Sequence, residues 1–337
     1  GNSRLSNTHI DVIVPPHTSY DMTVRVPPLK KHETYTEFWP QWVPNDGDNV
    51  PLDFAAITFG VVSPGGDLRK GLGVDGQGAV FTVKDDVPIA GFQFASNAVQ
   101  SVGRPMALLV VAPTMPHEFL PKAPYGNWIV RCTNTSPIPL RIKAWVERDE
   151  TVFGIRQPQF AHFVSSGDVA PPALDWEDAV SGDVSRLETT SNMAGTRHAF
   201  AVAAGTGGRQ SGYVSSYSGG GGGDSSARPQ LIARADRNPA QPGVPVWGNY
   251  RSTRRHMNGT SIAAPIAARW IANNFARGVD RLHIECLAMF SQPREHPRLS
   301  AKRGRERIAA GEGRLFIEDV DSSPQQCARG SDHDVTC

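Results

Sequence analysis

"HMNGTSIAAPIAARW", residues 256–270, is the stretch on which the reading of this fold turns. It continues as "IANNFARG", and the apolar residues from 262 onward lie on all sides of a helical projection, which predicts a buried helix ending at Gly278. The alanines let such a helix approach its neighbours closely. Gly259 permits an unusual backbone angle just before it. Ser261 then has two readings. It is the side chain that caps the helix, or it is a nucleophile set beside the unpaired N–H groups of a first helical turn, which can stabilise an oxyanion. The second role needs more than position. A serine hydroxyl is a weak nucleophile until a base within hydrogen-bond reach, itself oriented by a third group, takes its proton.

Upstream, residues 199–204 form an apolar run bounded by glycines further along, as expected of a strand covered on both faces. Five consecutive glycines at 219–223 follow and predict a flexible loop. No lysine with P-loop spacing succeeds them, so a phosphate cradle is not expected. Strand, loop and buried helix together predict an α/β architecture with a parallel sheet. The chain from about 289 is polar and rich in Arg and Pro, which predicts an irregular tail apart from a strand at "GRLFIED", 313–319.

Residues 20–150 have a different texture. "MTVRV", "YTEFW", "LDFAAITFGVV", "GAVFTV", "MALLVVA", "NWIVRCTN" and "LRIKAWVERD" are strand candidates. Clusters such as "PNDGDN", "SPGGD" and "SPIP" separate them and supply turn chemistry. Closely spaced short strands without helical periodicity predict a β-sandwich or jelly roll, with Trp128 and Trp145 as core aromatics.

The chain has 337 residues, 34 basic against 33 acidic, for a formal charge of +1. Neither nucleic acid nor membrane is expected as a partner. The basic clusters "RSTRRH" (251–256) and "AKRGRER" (301–307) read as solvated faces. Cys132, Cys286, Cys327 and Cys337 have neither zinc-ligand spacing nor the density of a disulfide scaffold, and only the last two are close enough in sequence to suggest a pair. The opening "GNSRLSN" has no Met and no signal-peptide pattern, which fits a processed product or a fragment.

"GTSIAAP", 259–265, is similar to the serine motif of the subtilisin-like serine peptidases: Gly-Thr-Ser, a hydrophobic residue, Ala, a small residue and Pro. "AFAVAAG", "YVSSYSG" and "RPQLIA" resemble further segments of that family, in the family's order, and "GEGRL" resembles a glycine segment near its end. The resemblance covers roughly residues 150–318. "GNS" at 1–3 is similar to the family's Ala-Ala-Gly-Asn strand end, which would make Asn2 the oxyanion donor. The strand-rich stretch resembles an insertion that some bacterial members carry between their Asn and Ser motifs. "IARADRNPAQPGV" departs from the family's Ala-Pro-Gly, and the glycine run is unusual.

The resemblance therefore implies a subtilisin-like α/β fold, incomplete at its N-terminal side. Its parts would be a first segment at 1–19, an inserted β-sandwich or jelly roll at 20–150, a second peptidase segment at 151–318 and a tail at 319–337. It implies a serine endopeptidase acting on polypeptides through an acyl-enzyme on Ser261, with Asn2 in the oxyanion hole and Gly259, Thr260 and Pro265 shaping the motif. In that family the order is Asp, His, Ser. The Asp-Thr-Gly-like and His-Gly-Thr-like motifs would precede Gly1, and no histidine here stands in such a context. His256, five residues before Ser261, reads as structural or solvent-facing. The partner implied is the missing N-terminal half of the peptidase domain, without which this chain would be nearly inert. No cofactor is required; structural calcium is frequent in the family, without ligands that can be assigned here. Secretion rests on the resemblance alone. The competing expectation is an inactive remnant whose strand-rich part binds protein or carbohydrate.

Overall fold

The computed structural model describes residues 4–43, 54–69, 78–83, 87–99, 104–116, 122–147, 160–165, 183–191, 194, 199–206, 214–221, 229–238, 242–248, 250, 253–276 and 313–314. The chain divides into two compact units. One comprises Ser6–Arg186; the other comprises Gly1–Leu5 with Leu187–Cys337.

The first unit is all β. Its strands are β1 (His9–Val14), β2 (Thr18–Val26), β3 (Thr34–Trp42), β4 (Ile57–Val62), β5 (Leu68–Arg69), β6 (Gly78–Val83), β7 (Val87–Val99), β8 (Arg104–Val111), β9 (Gly126–Asn134), β10 (Leu140–Val146), β11 (His162–Val164) and β12 (Val184–Ser185). They make a seven-stranded sheet, β12-β1-β10-β3-β8-β7-β6, and a five-stranded sheet, β11-β2-β9-β4-β5, with every pairing antiparallel. The inner orders β1-β10-β3-β8 and β2-β9-β4-β5 are those of a jelly roll, in which the chain passes repeatedly from one sheet to the other.

The period of two in the sequence explains the sandwich. In β10 burial alternates strictly, with Leu140, Ile142, Ala144 and Val146 inward, and β3 turns Thr34, Thr36, Phe38 and Trp42 the same way. Aromatic rings from both sheets meet in the interior. Phe59 on β4 packs on Phe92 and Phe94 of β7, and Phe81 on β6 meets Trp128 on β9 edge-on at 5.4 Å between centroids. Phe38 and Phe163 meet in the same manner. Trp128 is the core aromatic that the sequence predicts. Trp145 is not: it lies on the outer face of β10, half-buried, and stacks on His9 at 4.6 Å.

Asn134 closes the β9–β10 turn. Its Nδ2 donates to the carbonyls of Val14, Pro15 and Ile138, while its Oδ1 accepts from the Ser136 amide and hydroxyl. On β9, the middle strand of its sheet, Cys132 is fully buried, and burial pushes its thiol well above the ordinary range. Since the thiolate is the reactive form, iodoacetamide should label Cys132 at least about 100-fold more slowly in the folded chain than in guanidinium. Peptide mapping of the alkylated protein reads this directly.

The second unit contains β13 (Val202–Thr206), β14 (Leu231–Asp236), β15 (Val244–Trp247), β16 (Arg254–Met257), α1 (Thr260–Ala276) and β17 (Gly313–Arg314). β13, β14 and β17 form a parallel sheet; β15 and β16 form a separate hairpin. Helix α1 lies on β13 and β14. Its Ala263, Ala267 and Trp270 are buried with Ala204, Leu231, Ala233 and Ala235, so alanine faces alanine and the helix axis comes close to the sheet.

The α/β expectation is overturned. The described residues hold seventeen strands and one α-helix, and most of those strands pair antiparallel. The expectation generalised from a single strand–loop–helix unit. Parallel pairing is confined to three strands with one helix upon them, while the bulk of the described chain hides its apolar residues between two antiparallel sheets. The helix also differs from its sequence reading: Ser261, Ala264, Pro265, Ala268 and Arg269 are exposed, so only one face is buried. Small residues on both sides of a helical projection do not reveal which side the sheet takes. Among the described residues, no helix is long and apolar enough to cross a membrane.

Candidate active site

The serine turn is built from the backbone outward. Gly259 is buried and holds φ at 118°, a conformation in which a Cβ would be strained. Its carbonyl accepts from the Ile262 amide at 2.9 Å and from the Ala263 amide at 3.3 Å, so Gly259 occupies the capping position and α1 starts at Thr260. Ser261 is therefore not the cap. It sits inside the first turn, exposed, and neither its hydroxyl nor its N–H has a hydrogen-bond partner among the described residues. Pro265 has no N–H to give to the Ser261 carbonyl four residues back, which loosens the helix at its first turn.

Beneath this turn lies a polar cluster that sequence reasoning did not assign. Residues 214–218 are pinned to β13. The Ser215 amide donates to the Ala204 carbonyl at 2.9 Å, and the buried Ser218 Oγ accepts from the Ala204 amide at 3.0 Å. This places Tyr217 under Gly259, whose N–H donates to the phenol oxygen at 3.0 Å. Tyr217 Oη donates to Asp236 Oδ2 at 2.7 Å. Ser215 Oγ donates to the same carboxylate oxygen, and the Gly243 amide donates to Oδ1 at 2.7 Å. Asp236, at the end of β14, is 4% exposed.

Burial pushes the Tyr217 phenol up to about 12. Hydrogen bonds with Ser215 and Gly259 pull it partly back, while Asp236 adds to the rise through its hydrogen bond and its charge. Below pH 10 the folded and unfolded chains both keep this proton. As pH rises from about 10 to 12 the unfolded chain gives it up first, so stability contributed at neutral pH is lost across that window. Thermal melts should show a fall in Tm between pH 10 and 12 that is smaller in Tyr217→Phe.

The hairpin leading into the turn also has defined constraints. Gly243, at φ 85°, precedes β15, and a Cβ there would come within 3.1 Å of the Met257 backbone. The strands register Val244 with Met257 and Trp247 with Arg254, whose guanidinium lies 4.8 Å from the Trp247 ring centroid. His256 is exposed on β16, as its solvent-facing reading expects. The first three glycines of the 219–223 run, by contrast, are buried, and Gly220 exchanges hydrogen bonds with Thr189.

Asn2 lies outside the described residues, as do Cys286, Cys327 and Cys337. Among the described residues no group of three or more His, Cys, Asp or Glu side chains could hold a metal ion.

In fold, the chain is similar to the structure of the Clostridium perfringens CspB protease, with a TM-score of 0.61 at 13% sequence identity. The match takes in 95% of this chain and 57% of that one, so this chain spans little more than half of that protease's length. No family model matches the sequence, and no curated protein matches it. The likeness to a protease is one of fold, and it stops short of a peptidase family.

Proposed function

We propose that Ser261 is the nucleophile of a serine endopeptidase of the subtilisin type, hydrolysing polypeptides through an acyl-enzyme. One observation carries this reading: Ser261 stands exposed in the first turn of α1 with its hydroxyl and amide both unpartnered among the described residues, while Gly259 does the capping. A serine needed only to cap the helix would spend its hydroxyl on a backbone amide.

In this mechanism Ser261 Oγ attacks the scissile carbonyl, and the Ser261 N–H together with the Asn2 side chain holds the oxygen as it becomes negative. A histidine takes the serine proton and returns it to the leaving amine; an aspartate holds that imidazole in its working tautomer. In the family that the chain resembles, the aspartate and the histidine come before the serine in sequence.

A fluorophosphonate probe tests the proposal on the protein made from its complete natural reading frame. A covalent adduct that maps to Ser261 and disappears in Ser261→Ala supports it. Absence of any adduct in the folded, full-length protein rejects it in favour of an inactive remnant with a binding role.

A further inference from the structure

Asp236 poses a problem of physical chemistry. A carboxylate at 4% exposure has lost most of its hydration, and its hydrogen-bond partners among the described residues are a serine hydroxyl, a phenol and a glycine amide, all neutral. Such burial costs free energy that an apolar residue at the end of β14 would not. The carboxylate nevertheless uses both oxygens, and each of its bonds leads toward the serine turn. The Gly243 amide starts the hairpin whose second strand runs directly into Gly259. Ser215 belongs to the short turn that carries Tyr217. Tyr217 touches Gly259 itself.

The direction of this chain of bonds is fixed. A phenol has one proton, and Tyr217 Oη accepts from the Gly259 N–H, so its own proton goes to Asp236. Gly259 has no side chain to hold it and sits at a φ of 118°, a conformation open chiefly to glycine, and the bond from its amide to Tyr217 restrains the peptide on its N-terminal side while its carbonyl caps the helix.

Building on the assignment of Ser261 as nucleophile, we infer that Tyr217 and Asp236 are positioning residues, a phenol–carboxylate relay that locks the Gly259 peptide and thereby sets where the Ser261 hydroxyl and N–H point. Neither residue touches the reacting atoms. Their effect is on orientation, and displacement of a reacting group by about 1 Å can cost about 100-fold in rate.

The test uses the full-length natural protein with Tyr217→Phe, which keeps the ring and removes only the oxygen, and Asp236→Asn, which keeps the shape and removes an acceptor. Two readouts are taken: hydrogen exchange at the Gly259 amide, and steady-state peptide hydrolysis alongside the rate of fluorophosphonate labelling. The relay predicts that both variants lose protection at Gly259. It also predicts that kcat and labelling rate fall by about 10- to 100-fold at unchanged KM, with the double variant no slower than the slower single. If wild-type Ser261 reacts and Tyr217→Phe matches it in kcat, or if Gly259 stays equally protected, the relay is wrong. A purely structural role would lower Tm in both variants and leave kcat of the folded fraction intact, which also overturns it. A wild-type Ser261 that takes no label ends the peptidase reading instead, and the coupling of Tyr217 to the turn then stands or falls on the Gly259 amide alone.

Discussion

Trp128→Ala should destabilise the sandwich unit by about 3 to 5 kcal/mol, the range for deleting a large aromatic side chain from a packed interior. Trp128 is fully buried on β9, meets Phe81 edge-on across the two sheets, and donates its indole N–H to the Pro124 carbonyl at 3.3 Å. Alanine would remove all three interactions and leave a cavity between rigid sheets that cannot close over it. Against a typical total of about 5 to 15 kcal/mol, the loss is large enough to leave part of the population unfolded at 37 °C. Urea unfolding followed by far-UV circular dichroism should show the sandwich transition moving down by about 1 to 2 M. Trp128→Phe should recover most of the loss, because a ring would again meet Phe81. Trp145→Ala supplies the contrast. It removes a half-exposed ring stacked on His9, for which a cost of about 1 kcal/mol is expected. Equal effects at the two tryptophans would contradict the assignment of inner and outer faces.

That contrast also shows what the sequence could and could not reveal. Seven strand segments were legible because alternation and turn residues are local signals, and they correspond to β2, β3, β4, β6, β8, β9 and β10. β1 and β7 were not legible: "HIDVIV" is too short to establish a period, and "VPIAGFQFASNAV" is interrupted by proline and glycine. The inner or outer face of Trp145 depends on register within β10, which is set by the neighbouring strands β1 and β3. In the second unit the helix was legible from its run of small and apolar residues. Its exposed side was not, since an alanine reads alike on either face.

The candidate site divides along the same line. Ser261 stood out because its motif occupies seven consecutive residues. The relay beneath it was invisible, because Tyr217 and Asp236 lie 19 residues apart and Gly259 lies 42 from Tyr217. One local signal was present, a carboxylate ending the strand "LIARAD", apolar but for Arg234. A buried acid has to be satisfied by something, but the sequence does not say by what. The same length argument explains the missed fold class: a parallel sheet is a statement about distant pairings, and one strand–loop–helix unit contains too few of them to establish the class of a whole chain.

The largest functional effect expected belongs to Ser261. In the full-length natural protein, Ser261→Ala should lower kcat for peptide hydrolysis by about 10⁶-fold, the loss measured in subtilisin when the serine alone is removed. The magnitude follows from the nature of the step. Without the hydroxyl no acyl-enzyme forms, and only binding and oxyanion stabilisation remain, which in subtilisin leave about 10³- to 10⁴-fold acceleration over water. The Ser261 side chain is exposed and its hydroxyl has no hydrogen-bond partner among the described residues, so removing one oxygen should leave folding unchanged, with stability moving by less than about 0.5 kcal/mol. That pairing of outcomes is what separates a nucleophile from a structural serine. A variant that keeps its Tm and loses hydrolysis identifies chemistry at Ser261; one that keeps hydrolysis within tenfold places the nucleophile elsewhere or removes the peptidase reading. The two variants around this turn then differ in kind. Ser261→Ala abolishes the covalent intermediate, while Tyr217→Phe should still acylate, only more slowly, because the hydroxyl remains and only its orientation has been released.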